Sequence, residues 1–450
     1  MSRVVYEYVF DISFNVTSRG IKFKPYSLVS FVKHCDYFNN FIPSYELVCK
    51  ISDKYVNILR LFDKEITVFI KKYRKSGANR DKYEKSELIS EQEFAAYYDK
   101  ETIPNFMNTE KTISPNLVSW DKYNADSPGT LSQHEIKFNL LLKNDLKIKT
   151  VIHNYIFGTD DKPCAPIDAV VATIEQNPYI KHFLIDSPDN TNSYSDLIVE
   201  AGELKDAIKN IQYNYGIYGK GLEIFLDDDI LYVLNKCENK HSTQKDEINV
   251  ISVKVNERTD RPDAKEYVNE NLKEKLIYYE RRSNLYKEDY ESIEGIATGD
   301  KFVYSNFGSV INSMFSGDDK GTFINPLNEV EKTRPSRVDV GTKKILDYDM
   351  LNNPFNMSSY MAEKSIGVPI TFGLQMVNTE HFRPNMIISI STDTAESNKL
   401  YKGLYNIKSA DFAYTVIPQP GKFFNSYASA FLTLCNKTEG YDKDYFPKSE

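Results

Sequence analysis

Three consecutive carboxylates, Asp227, Asp228 and Asp229, form the densest group of chemically capable side chains in the sequence. Such a cluster could bind a divalent cation or supply the acid of a glycosidase. It lies, however, between two apolar runs in LEIFLDDDILYVLNK, and Asp tolerates turn geometry while bonding its own local backbone. The pattern therefore predicts a hairpin whose turn carries the three carboxylates, pointing different ways and staying solvated. RPSR (Arg334–Arg337) has the charge to grip a phosphate but reads as a solvated loop. GIYGKG follows a helical pattern instead of a strand, so its glycines mark a helix terminus and turn, not a phosphate cradle.

Other constellations lack their parts. His34, His134, His153, His182, His241 and His381 are dispersed, with no HExxH and no pair at three- or four-residue spacing. Cys35, Cys49, Cys164, Cys237 and Cys435 are odd in number and show no CxxC, so they read as buried free thiols in a chain that folds in a reducing cytoplasm. There is no GxSxG elbow, Walker loop or dinucleotide GxGxxG. The expectation is a protein that is not an enzyme, with no catalytic residue, no cofactor and no metal.

Composition narrows the partners. A net charge of -8 argues against nucleic acid as the main ligand. A mean hydropathy of -0.48, with no apolar run near the ~20 residues a helix needs to cross a bilayer, predicts no membrane span. The opening MSRVVYEYVFDISFNV is interrupted by Glu7 and Asp11, so no signal peptide is expected. The 32 Tyr and 26 Phe against one Trp exceed the needs of one active site and suit strands and wet protein interfaces.

The elements that would position these residues are mostly strands. Val4, Tyr6, Tyr8, Phe10, Ile12, Phe14 and Val16 fall on one face of a period-two pattern, a long half-buried strand. A short helix is expected at Ser27–Phe38, then strands at YELVCKIS, YVNILRLF and EITVFIKKYRK. Ile167, Val170, Val171 and Ile174 share a helical face, as do Leu204, Ile208 and Ile211. DAKEYVNENLKEKLIYYERRSN is expected as an exposed helix, Tyr290–Ser359 as loops or an extended arm. Strand patterns return with Met386, Ile388 and Ile390, with Tyr405 and Ile407, and with Phe412, Tyr414 and Val416.

This predicts a mainly β (α+β) fold with two β-barrel-like tube domains carrying helical and loop-rich insertions. Residues 1–75 and 127–165 form the first barrel-like domain, with 76–126 a polar insertion lobe. Residues 166–255 form a helix-plus-hairpin middle domain, 256–365 a helix and loop-rich extension, and 366–450 a second barrel-like domain with a C-terminal tail.

The order of pieces resembles a family. YSLVSFVKHCDYFNNFIPSYELVCKI after an initial strand, PYIKHFLIDSPDN and YNYGIYGKGLEIFLDDDILYVLNK in the middle, and HFRPNMIISIS then GLYNIKSADFAYTV late in the chain are similar to segments of the baseplate hub proteins of contractile bacteriophage tails. The resemblance implies two barrels per chain, so that a homotrimer presents six quasi-equivalent barrels to a six-fold tail tube while a trimeric spike docks below. It implies a structural virion protein of the tail baseplate, assembled in the host cytoplasm, with tail tube or tube-initiator proteins, central spike and baseplate wedge proteins as partners. Tyr6, Tyr8, Phe10, Phe412 and Tyr414 are the candidate subunit-interface residues, with a place in the chain's own core the equal alternative. Two other readings stand beside it: a carbohydrate-binding or carbohydrate-cleaving tail protein using aromatic platforms and the Asp cluster, and another baseplate piece, a wedge or tube initiator.

Overall fold

The computed structural model describes residues 5–16, 20–52, 55–56, 58–59, 66–77, 86–98, 133–149, 151–219, 221–236, 248–255, 267–268, 275–281, 286–287, 370–375, 377–384, 387–392, 403–416 and 424–438. In chain order the strands are β1 (Val5–Val16), β2 (Ile21–Phe23), β3 (Ser27–Asp36), β4 (Ser44–Ser52), β5 (Ile66–Gly77), β6 (Glu87–Tyr98), β7 (Gln133–Leu142), β8 (Val151–Ile152), β9 (Tyr155–Phe157), β10 (His182–Ile185), β11 (Leu197–Val199), β12 (Gly202–Glu203), β13 (Leu222–Asp227), β14 (Ile230–Asn235), β15 (Ile248–Val255), β16 (Tyr267–Val268), β17 (Lys275–Arg281), β18 (Tyr286–Lys287), β19 (Ile370–Gln375), β20 (Ile387–Thr392), β21 (Gly403–Val416) and β22 (Asn425–Thr438). Among the described residues, helices α1 (Lys143–Ile148), α2 (Pro166–Glu175) and α3 (Leu204–Tyr215) join them. The fold is mainly β, as expected.

Eight strands close on themselves. In the order β1, β5, β6, β7, β4, β3, β21, β22, each pairs antiparallel with the next, and β22 returns to β1 through Tyr8↔Ser426 and Val9↔Asn425. A ring of eight strands has an interior just wide enough for side chains to fill it. The inward set includes Tyr8, Phe10 and Phe14 of β1, Phe31 of β3, Tyr45 of β4, Phe94 of β6 and Phe138 of β7, all buried. Phe10 meets Tyr414 edge-on at 5.2 Å, and Phe14 lies 5.0 Å from Phe138. The ring is therefore a packed core and not a pore. Its aromatic pairs each add about 0.5–1.5 kcal/mol beyond the area they bury.

β21 and β22 are long enough to serve a second sheet as well. β21 pairs with β3 over Ser409–Thr415 but with β20 over Gly403–Asn406; β22 pairs with β1 at Asn425 and Ser426 but with β19 over Ser429–Leu434. A register shift between Ile407 and Ser409 marks the change, and the buried positions switch from Tyr405 and Ile407 to Ala410, Phe412 and Tyr414. An extra residue in one strand flips side-chain parity beyond it, which lets one strand supply two cores. The second sheet runs β16, β17, β15, β20, β21, β22, β19, β18, with β15 parallel to both β17 and β20. The segments expected to build two separate barrels thus contribute to one continuous sheet, with β21 and β22 in both its closed and its open part.

Several local expectations change. Ser27–Asp36 is strand β3 and not a helix: Phe31, Lys33 and Cys35 are buried while Val32, His34 and Asp36 are only half-buried, a period of two. Its Val29, Val32 and Phe31 favour a pleated surface over a helix. Conversely, Tyr55, Val56, Ile58 and Leu59, expected in a strand, are helical. Tyr55, Val56 and Leu59 are spaced for one helical face; Val56 and Leu59 enter the ring's core, and Tyr55 stacks on Phe23 at 4.3 Å. β6 falls inside the segment read as a polar lobe, and β16 and β17 replace the helix expected over DAKEYVNENLKEKLIYYERRSN, whose LIYYE run is strand-forming. The loops expected over Tyr290–Ser359 lie outside the described residues.

A second core sits beside the ring, where Val170 and Ile174 of α2 meet Leu204, Ile208 and Ile211 of α3. Gly216 ends α3 at φ 74, the conformation glycine adopts most cheaply. The hairpin β13–β14 joins the two cores by simple alternation. Phe225, Tyr232 and Leu234 pack into the ring's core, while Ile224, Leu226, Leu231 and Val233 pack into the helical one.

Candidate functional site: the charged mouth of the ring

The hairpin's tip is a two-residue turn. Asp228 and Asp229 have φ of 46° and 64°, and Asp227 pairs with Ile230 across it, the geometry whose twist suits a tight hairpin. Asp228 and Asp229 are exposed, as expected, but Asp227 is not: it is 5% exposed and lies against the inside of the ring. Lys33 of β3 meets its Oδ1 at 2.5 Å and the Oδ1 of Asp228 at 2.7 Å. Tyr37 donates to the other Asp227 oxygen at 3.5 Å. The expectation that all three carboxylates stay solvated is thereby corrected. Strand alternation aims Lys33 inward, and a buried ammonium must find a counter-charge.

Each group in this knot is shifted. Burial pushes the Asp227 carboxyl up to about 6 despite Lys33. Burial also opposes the charge on Lys33, but the facing Asp227 and Asp228 carboxylates outweigh it and hold the ammonium well above its ordinary value. Beside them on α1, Asp145 is 2% exposed, and burial together with Asp229 raises its carboxyl to about 7.

A second knot ties the ring to the turn that follows β19. Lys72 and Arg74, which continue the inward register of Ile66, Val68 and Ile70 on β5, both reach Glu380, Lys72 at 2.9 Å and Arg74 at 3.3 Å. Arg74 also bonds Glu87 at 2.7 Å. The Tyr8 hydroxyl accepts from the Thr379 amide at 3.1 Å and lies 3.0 Å from Glu380 Oε2. Thr379 Oγ1 and the Tyr414 hydroxyl are 2.8 Å apart. Burial would raise the Glu380 carboxyl, but Lys72 and Arg74 hold it below its usual range. Burial lowers neighbouring His381 to about 4, so it is neutral at physiological pH.

The chemistry of both knots is that of staples. In both knots each acid faces a cation or a hydroxyl, and burial pushes the Cys35 thiol well up. Among the described residues no group of His, Cys, Asp and Glu is arranged to hold a metal ion. Among the described residues Cys35, Cys49 and Cys164 are free thiols. No helix among the described residues is long and apolar enough to cross a membrane.

The five residues singled out as a subunit interface are brought together, but inside the molecule. Tyr6, Tyr8, Phe10, Phe412 and Tyr414 are at most 9% exposed and belong to one core. They are closed to a partner because the strand faces that carry them form the lining of the ring. Lys33, Lys72, Arg74 and Glu380 escaped the sequence reading. The available signal was strand parity, which sets Lys72 and Arg74 on the same face as Ile70.

No protein-family model and no curated protein matches this sequence. Its neighbours among solved structures are bacteriophage-tail and type VI secretion proteins. The 43 kDa tail protein of prophage MuSo2 from Shewanella oneidensis is 7% identical with a TM-score of 0.42, covering 95% of this chain and 97% of that one. The E. coli c3393 protein, a type VI secretion component described as similar to the T4 bacteriophage tail proteins gp27 and gp5, is 9% identical with a TM-score of 0.39, covering 97% and 80%. The lidded Francisella PdpA-VgrG complex is 8% identical with a TM-score of 0.36; 97% of this chain is covered but 54% of that one. The chain spans 66% of the corresponding lidless structure.

Proposed function

We propose that this chain is a non-enzymatic structural component of a phage-type tail baseplate, a hub that adapts a six-fold tail tube to a three-fold central spike. The observation that carries this reading is the sharing of β21 and β22 between a closed ring and a second sheet within one chain. The sequence resemblance implies two ring-like units per subunit, and strands common to both would hold them in fixed relation, as a symmetry adaptor requires. A homotrimer built this way contacts tube or tube-initiator proteins on one side, the spike on the other, and wedge proteins at its rim. With the aromatic strand faces inside the ring, subunit contacts fall on its outer surface, where Tyr97 and Phe431 are about half exposed.

The carbohydrate reading loses its two supports. The aromatic stripes line a packed interior, and Asp227 is committed to Lys33. The test is the copy number and position of this chain in assembled particles imaged by electron microscopy. Three copies around the tail axis between tube and spike are expected. Six equivalent copies, or a position away from the axis, would replace the hub with a tube initiator or a wedge.

A further inference from the structure

Asp145 is an anomaly in the otherwise matched mouth of the ring. It is 2% exposed, and its Oδ1 has no hydrogen-bond partner. The groups that face it are Asp227, Asp228 and Asp229 from the hairpin tip, Lys33 from β3 and Tyr45 from β4. The lone cation in that set is already spent, because Lys33 is shared by Asp227 and Asp228. The cations of α1 and its end point elsewhere. Lys143 bonds Glu93 at 2.7 Å, Lys147 lies over the Tyr179 ring at 5.7 Å, and Lys149 bonds Glu203 at 3.2 Å. Asn144, next to Asp145, is bound to the tip itself, through Asp229 at 3.1 Å. An ionised Asp145 would therefore meet the carboxylates of the hairpin tip, while Lys33, the one cation among the groups facing it, is shared by Asp227 and Asp228.

We propose that the joint between α1 and the β13–β14 tip is a proton-operated latch, in which Asp145 seats the tip against the ring while neutral and repels it once ionised. On the far side Asn144 bonds Asp229; on the ring side Lys33 and Tyr37 hold Asp227, and the Leu226 amide bonds the Phe41 carbonyl, so the latch acts on the turn at Asp228 and Asp229, which are exposed. The direction follows from linkage. A carboxyl raised in the folded state to about 7 gives stability that is complete below its ordinary value of 3.8 and is lost as pH rises through 7. The latch is closed in mildly acidic solution and released in mildly alkaline solution.

The test compares the full chain with Asp145→Asn, which keeps the shape and stays neutral. Thermal midpoints are measured from pH 5.5 to 8.5, alongside hydrogen exchange of the hairpin amides corrected for intrinsic rates. The expected result is a parent midpoint that falls through neutral pH with rising exchange at Asp227–Leu231, and a variant that keeps the higher midpoint at pH 8.5. A variant that falls in parallel with the parent, or is the less stable of the two at pH 8.5, overturns the proposal. Asp229→Asn gives an independent reading on a chain that retains Asp145. Removing the opposing carboxylate that most raises Asp145 should lower the pH at which Asp145 ionises, so the fall should end at lower pH and be smaller, and an unmoved profile also overturns the latch.

Discussion

Lys33 and Asp227 are 2.5 Å apart although they come from separate units, Lys33 from the inner wall of the ring and Asp227 from the hairpin that belongs half to the helical core. Both side chains are nearly sealed, at 11% and 6% exposure. Removing one partner of such a pair strands the other charge in low dielectric, which is costlier than the pair is favourable. Lys33→Met should therefore cost about 3–5 kcal/mol. Asp227→Asn, which leaves Lys33 its bond to Asp228, should cost about 1–3 kcal/mol. Asp228→Asn should cost under about 1 kcal/mol, because that carboxylate is 69% exposed. Urea denaturation of the three variants checks the order, and equal losses would show that the pair does not dock the hairpin.

Tyr8→Phe tests the other knot. The hydroxyl is buried between the Thr379 amide, the Thr379 hydroxyl and Glu380. Phenylalanine keeps the ring's packing against Tyr414 at 5.1 Å but leaves the Thr379 amide without its acceptor. A loss of about 1–3 kcal/mol is expected. A neutral substitution would mean that Lys72, Arg74 and Tyr414 hold the turn after β19 without the Tyr8 hydroxyl.

How much of this was legible in the sequence depends on what reports each feature. The six alternating residues from Tyr6 to Val16 appear as one buried face because period-two patterning is local and the whole strand obeys it. The hairpin at Asp228 and Asp229 was legible for the same reason, its turn residues and flanking runs being adjacent. Which sheet a face belongs to is not local. Closure of the ring pairs Tyr8 with Ser426, and nothing within either strand names the other. That is why the sequence leaves Tyr8 and Tyr414 open between core and partner surface, when they are lining for an interior completed by the chain's far end. Lys33 was missed because Ser27–Asp36 carries apolar residues at spacings a short helix also satisfies, and only membership of the ring shows its inward register.

The acid limb of stability should report Glu380. Its carboxyl is held below the ordinary 4.5 by Lys72 and Arg74 once folded. A depressed carboxyl contributes stability that is present above its unfolded value and lost as pH falls through its folded one. The urea midpoint of the parent should therefore drop on acidification below about pH 4.5, and that of Glu380→Gln should drop less. At neutral pH the variant should already be the weaker, since Lys72 is left with the Tyr414 hydroxyl at 3.4 Å and no carboxylate. Identical acid limbs would assign the acid sensitivity to other carboxylates.

Gly158 is the last test, and it isolates the helical unit from the ring. Its φ of 87° is a conformation that side chains rarely adopt. Space is also lacking, because an added methyl would press on the backbone oxygen of Tyr194 and sit 3.0 Å from the Cys164 amide. Those two residues hold each other through reciprocal backbone bonds of 2.8 and 2.9 Å, so neither yields cheaply. Gly158→Ala should cost about 1–3 kcal/mol from conformation alone, with the collision added. The loss should appear as faster hydrogen exchange in β9, β11 and the Cys164–Tyr194 bridge, while β1 and β5 exchange as in the parent. If the ring strands were to exchange faster by the same factor, the two cores would unfold as one unit, and the hairpin's double allegiance, with Phe225 in one core and Ile224 in the other, would be what couples them.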